Sequence, residues 1–314
     1  MTGVVGAVLQ VIVVGVGSPL LVGVMRQVRA RLEGRAGAGV LQPWRDLRKL
    51  MRKEPITPRG TGWVFRAAPL VLAGTALVVA AVVPLVTTAS PLDGVADLFA
   101  VTALLALGSV ALALGALDTG TAFGGMGASR EMTVLALVEP TILVSVFALS
   151  IRAGSTSLGS IVTATVEDPL SVISPVSVLA AVALAIVTIA ETGRIPVDNP
   201  STHLELTMIH EAMVLEYAGP DLALIEWASA MRLSVLLGLL ASLFFPLGIA
   251  IADAGVLALL VAVIALVVKV GLLGVLLSVG EVFMAKLRLF RVPELLAGSF
   301  LLALLAVAAS FFLA

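Results

Sequence analysis

Between residues 191 and 226, an otherwise mostly aliphatic chain gathers groups that exchange protons. They are Glu191, Asp198, Glu205, Glu211, Glu216 and Glu226, with Arg194, both histidines of the protein (His203 and His210) and its only tyrosine, Tyr217. Carboxylates placed in succession pass a proton or an electrostatic signal when burial and a nearby cation pull their pKa values in opposite directions. Metal chemistry has little support. The chain has no cysteine, and thiolate-held clusters need one. His203 and His210 would stand about 10 Å apart along a helix, without the i, i+4 spacing of a chelating pair. No glycine-rich phosphate loop follows a strand, and no Ser/His/Asp set has a recognisable context. A net charge of −1 offers nucleic acid no basic face.

Two further charges stand inside apolar runs: Glu139, followed by Pro140, and Lys269. A charge at mid-bilayer costs about 2.5–3.5 kcal/mol, so each needs a partner or a wet pocket. Glu139 is expected about 12 Å in from the cytoplasmic end of its helix, and Lys269 near the midplane is expected to be its positive partner. The two form either a structural salt bridge or part of a relay.

The elements that must position these groups are membrane spans. Hydrophobic residues make up 60% of the 314, and charged residues 12%, about half the charged share of a soluble domain. A bilayer core needs about 20 apolar residues per helix. Eight segments qualify: 3–25, 67–88, 98–117, 131–151, 172–190, 231–251, 254–279 and 295–313. The expected fold class is an all-α integral membrane protein in a single domain, residues 1–314. Membrane-barrel strands would be shorter and alternating. The first segment lacks a basic n-region and carries its arginines after the apolar run, so it reads as a retained span rather than a signal peptide. Of 19 Lys and Arg, 17 fall on odd-numbered loops, including Arg232 on the fifth. The positive-inside rule then puts both termini outside and the odd loops in the cytoplasm.

Two cytoplasmic loops exceed what a connection requires. In the basic loop, 26–66, Leu41, Trp44, Leu47 and Met51 share a helical face, with Arg45 and Arg48 elsewhere around it. This reads as an amphipathic helix in the interface, serving as a lipid anchor or as a docking surface for a partner. In the acidic loop, 191–230, Pro196 and Pro200 keep the chain extended. Ser201 or Thr202 is expected to cap a second amphipathic helix running towards Tyr217 and ended by Gly219 and Pro220. Glu205 and Glu216 would share one face of it, and His203 and His210 another.

The run "AETGRIPVDNP", then Glu205-Leu206, then "EYAG", resembles the signature loop of the complex I membrane subunit that joins the hydrophilic arm to the proton-pumping arm. The fuller run "THLELTMIHEAMVLEY" is similar to the counterpart in formate hydrogenlyases, hydrogenase-4 and related group 4 nickel–iron hydrogenases. "LQPWRDLRKLMRKE", "VEP" at 138–140, Lys269 and "AKLRLFRVPELL" extend the resemblance over nearly the whole chain. A short insertion before Glu216-Tyr217, and Glu281 where the complex I subunit tends to have an arginine, favour the hydrogenase branch.

The resemblance implies a membrane anchor and coupling subunit of a formate hydrogenlyase or hydrogenase-4-like complex in a bacterial cytoplasmic membrane. It would carry no cofactor of its own. The nickel–iron centre would lie in a hydrogenase large subunit and iron–sulfur clusters in a small subunit, with antiporter-like membrane subunits alongside. Glu139, Glu191, Glu205, Glu216, Glu226 and Lys269 are the expected proton or coupling path. Arg194, Asp198, His203, His210, Glu211, Tyr217, Arg45 and Arg48 are the expected contact with the redox subunits. The alternatives are a quinone-reducing complex I-type subunit and a free-standing cation transporter. The transporter would show broken helices with paired acids near mid-membrane, whereas most acids here crowd one loop.

Overall fold

A computed structural model describes residues 2–88, 94–198, 208–251 and 255–313. Eleven α-helices follow in order: α1 (Thr2–Leu32), α2 (Gln42–Leu50), α3 (Trp63–Val82), α4 (Leu98–Asp118), α5 (Ala122–Ala153), α6 (Leu158–Glu167), α7 (Pro175–Glu191), α8 (His210–Val214), α9 (Gly219–Phe244), α10 (Val256–Phe283) and α11 (Val292–Leu313). Among the described residues the only β-type pairings are isolated bridges, Thr87 to Ala250 and Asp97 to Ser157. Each of the eight expected apolar segments contains most of a helix or the end of one. Seven of these helices are long and apolar enough to cross a membrane, and α7 is shorter, with 17 residues.

The helices pack around α9, which meets α1, α3, α7 and α10. Lipid is as apolar as leucine, so helices in a bilayer associate through close packing rather than through exclusion of water. On α4, Gly108 faces Leu72 and Thr75 of α3, and Gly115 faces Ala68. A methyl group at either glycine would push the pair apart. By contrast α10 and α11 leave broad apolar faces uncovered, Leu257, Ile264, Val268, Leu301 and Phe312 among them.

Several boundaries differ from the expected ones. The third helix stops at Val82 instead of continuing to residue 88. Buried Gln10 of α1 holds the open end: its amide donates to the carbonyls of Ala80 and Val83, and its oxygen accepts from the N–H groups of Leu85 and Val86. The freed segment pairs with the chain after α9, Thr88 N–H to the Ala250 carbonyl and Ala250 N–H to the Val86 carbonyl. The sixth span is shifted in turn, to Gly219–Phe244 instead of 231–251. That shift puts Arg232, counted with the fifth loop from the sequence, in the middle of the helix rather than at its edge. The fourth span begins at Ala122 rather than near residue 131, which places Glu139 deeper in its helix. The sequence reading also missed α6, between the fourth and fifth spans.

The basic loop folds back onto the molecule. Within α1, Pro19 has no N–H for the carbonyl of Gly15, and the indole of Trp227 supplies one at 2.8 Å. The indole of Trp44, from the expected amphipathic helix α2, donates to the neighbouring Val16 carbonyl at 3.1 Å. Leu47 is buried beneath α2, while Arg45 and Arg48 are exposed. The second amphipathic helix differs from expectation. Within the described part only His210–Val214 is helical, and its N-terminal cap is Asp198, which accepts from the N–H groups of Ile209 and His210 at 3.1 Å each.

Candidate functional site

Sequence neighbours become layers in the fold. Glu191 ends α7, and the segment after it turns back beneath α5, α9 and α10. The Arg194 guanidinium reaches Glu281 of α10 at 3.3 Å, with Arg29 of α1 at 4.0 Å from the same carboxylate. Asp198 pairs with Lys286 at 3.3 Å. Arg130 donates to the Met208 carbonyl at 2.8 Å. The polar segment is therefore fixed to α10, to the loop after it and to α5 by charge-assisted bonds, which are the strong class.

At the centre lies a buried ion pair, Glu191 with Arg232 of α9. The same guanidinium donates to the Ser109 hydroxyl at 2.8 Å and the Leu105 carbonyl at 3.0 Å, both on α4. Glu131 of α5 is buried nearby, within electrostatic range of Glu191, Arg232 and Asp198. Glu139, two turns further along α5, is half-buried, and its charge is felt at Glu191.

Two cavities frame this cluster. An open chamber of about 710 Å³ is lined by Arg26, Arg29, Arg194, Glu211, Glu226 and Glu281 with apolar walls from α1, α2 and α9, and among the described residues its wall includes no Phe, Tyr or Trp. A second, enclosed cavity of about 10 Å³ is lined by Glu131, Glu191, Asp198 and His210, room for about one water molecule. His210 stands at both. Its Nε2 lies 3.4 Å from the Ser229 hydroxyl, and burial, reinforced by Arg232 and opposed by Asp198, pushes the imidazole pKa below its ordinary value.

The expected residues divide as follows. Glu191, Arg194, Asp198, His210, Glu211 and Glu226 gather at the chamber or the enclosed cavity. Glu216 lines neither. Tyr217, expected at a docking surface, is buried: its ring stacks on Phe65 with centroids 4.1 Å apart, and its hydroxyl donates to the Phe65 carbonyl. His203 and Glu205 lie outside the described residues. Lys269 is not brought to Glu139. Its ammonium donates to the carbonyl of Phe245 at 3.1 Å, the residue capping the C-terminus of α9, where the helix dipole favours a cation. Glu139 belongs to α5, which packs on α4, α7 and α11, whereas α10 packs on α1 and α9.

The sequence reading missed Glu131, Arg232 and Ser109. A signal existed for Glu131, which falls in register with Ala128, Val134, Leu135, Val138 and Ile142 on the buried stripe of α5. An acid on such a stripe needs a partner. Among the described residues no group of three or more His, Asp or Glu could hold a metal ion.

Comparison with known proteins places these features in context. Residues 5–312 match the family described as NADH dehydrogenase. The chain is 36% identical to formate hydrogenlyase subunit 4 of Escherichia coli (strain K12), covering 95% of each protein. It is also 36% identical to hydrogenase-4 component C of the same organism, covering 96% of this chain and 93% of the relative. A chain in the structure of the membrane-bound sulfane sulfur reductase, an archaeal respiratory membrane complex, superposes with a TM-score of 0.84 at 22% identity, covering 98% of each chain. At that identity the likeness is one of fold.

Proposed function

The chain belongs to the NADH dehydrogenase family, and from that premise we propose that it is the membrane anchor and coupling subunit of a formate hydrogenlyase or hydrogenase-4-like complex. The observation that carries the reading is the series of ionisable groups leading from an open chamber to a buried ion pair: Glu226 and Glu211, then His210 and Asp198, then Glu131, Glu191 and Arg232. A protein of one static state has little need of three carboxylates around a cavity the size of one water. Such a cluster answers a change of charge at its mouth by moving protons or shifting partners.

The redox chemistry belongs to partners. A nickel–iron large subunit and an iron–sulfur small subunit dock on the cytoplasmic side against segments 26–66 and 191–230, with the exposed Arg45 and Arg48 at the rim. Antiporter-like membrane subunits and lipid cover the apolar faces of α10 and α11. The membrane is the bacterial cytoplasmic membrane, with both termini outside. This chain supplies none of the thiolates a nickel–iron centre or iron–sulfur cluster requires. Its part is to hold the redox arm and carry its charge changes inward.

The test is purification of the intact complex from its host. A co-purifying cysteine-rich nickel–iron subunit is expected, and Glu191→Gln is expected to abolish hydrogen-linked ion translocation in sealed vesicles. Co-purification with a flavin-dependent NADH-oxidising module instead would overturn the assignment. A quinone-reducing role draws on the size of the chamber, but quinone headgroups are commonly held by aromatic stacking, and the chamber wall has no Phe, Tyr or Trp. Turnover that survives quinone extraction is therefore expected. The absence of aromatics holds for the described residues of the wall, and loss of turnover that added quinone restores would overturn the hydrogenase reading in favour of the quinone one.

A further inference from the structure

The open chamber and the enclosed cavity share a wall of three residues, Gly193, Asp198 and His210. Any proton moving between them crosses that wall. Gly193 has no side chain, and its φ of +59° reserves the position for glycine. Asp198 is engaged by Lys286 and by two backbone N–H groups, so its carboxylate is committed to anchoring the loop. His210 differs from both: its ring has two nitrogens, one able to accept a proton while the other gives one up.

We propose that His210 is the proton-transfer residue between the open chamber and the enclosed cavity. One ring nitrogen accepts a proton from chamber water, forming an imidazolium. The other nitrogen releases its proton to the water or carboxylate on the far side, Glu131 or Glu191. The ring returns to neutral, and a ring flip or proton exchange with water restores the starting tautomer. One proton enters for each that leaves, and no electron moves.

The surroundings suit a transient imidazolium. The charged and titratable groups facing the ring are Asp198 on its own loop, Glu131 on α5, Glu191 on α7 and Arg232 on α9, with the Ser229 hydroxyl of α9 beside Nε2 and Glu211 next in the chain. Burial and Arg232 keep the resting ring neutral, and Asp198 eases formation of the cation. A neutral ring with a weak hold on its proton passes it on, whereas a permanently charged one would block the entrance. The side chain packs beside Gly193, where an added Cβ would stand 3.5 Å from the His210 Cβ and 3.9 Å from its Cγ.

This inference rests on the coupling role proposed above and adds its point of entry. His210→Ala and His210→Gln are made in the intact complex beside Glu191→Gln, assembly is checked by co-purification, and proton translocation is followed in sealed vesicles. Both His210 variants are expected to translocate at least about 100-fold more slowly, the lower end of the range of general acid–base catalysis. Added imidazole, small enough for the chamber, is expected to restore His210→Ala but not His210→Gln, whose side chain fills the gap. Methylimidazoles of different basicity should shift the pH of best rescue accordingly, which a packing role would not do. Normal translocation in either His210 variant, or a loss that no azole restores in an assembled complex, would overturn the assignment. Loss in Glu191→Gln beside normal His210 variants removes the entry step alone; normal rates in all three remove the coupling role itself.

Discussion

Arg232 stands between Met231 and Leu233 in a helix that is buried along most of its length, and its guanidinium is held by the Glu191 carboxylate, the Ser109 hydroxyl and the Leu105 carbonyl. Removing one partner of a buried ion pair strands the other charge at a cost of about 3–5 kcal/mol, while replacing both with apolar groups is near neutral. Arg232→Met is therefore expected to lower the thermal midpoint of the detergent-solubilised protein sharply. Arg232→Met combined with Glu191→Leu should recover most of that loss while translocation in the complex stays absent. A double variant no more stable than the single one would mean the pair is not what the arginine stabilises. At this scale the sequence was only partly legible. Glu191, Asp198 and His210 stand in a conspicuous polar run, but Arg232 looked like a loop cation because the apolar run at 231–251 drew the span too late. Glu139 and Lys269 looked like a pair because both are charges in apolar runs. Which helices touch depends on packing, and nothing in either run specifies that.

Gln10 shows how an element boundary can be set from far away. Its amide group serves four backbone groups at and just after the end of α3, 70 to 76 residues along the chain. No local window around residue 82 reveals that the helix can stop there, because the partner that satisfies the open backbone lies on α1. Without it, two carbonyls and two N–H groups would be left in an apolar setting, each costing about 1–3 kcal/mol. Gln10→Leu should leave almost no monodisperse protein after detergent extraction, as read by size-exclusion chromatography. Gln10→Glu keeps the acceptor for Leu85 and Val86 but loses both donors, and should fall between leucine and wild type. Equal yields for glutamine and leucine would show that the break is held by something else. The eight apolar helices were legible because length and hydropathy suffice to find a span. The start of the short helix α8 was not, since the N–H groups of Ile209 and His210 are met by Asp198 from across the loop; the expected caps, Ser201 and Thr202, lie outside the described residues.

For the molecule as a whole, the proposed orientation rests on charge. Moving Arg232 into α9 removes one cation from the cytoplasmic count and leaves its sign unchanged, because eleven Lys and Arg remain in the first loop alone. An alkaline phosphatase fused after residue 314 should be active, since that enzyme folds only outside the cytoplasm, and a fusion within the loop after α1 should be inactive. The reverse pattern would invert the topology and with it the side on which partners dock. The same fold carries a condition on how the protein is made. Of the seven long spans, α9 is the least apolar and by far the most completely enclosed by protein, and it carries Asp221, Glu226 and Arg232. It leaves the ribosome after α1, α3 and α7, three of the helices that enclose it. The nascent chain thus has acceptors for its costliest segment already in the membrane when that segment emerges, and α10, apolar enough to enter lipid unaided, closes over it last.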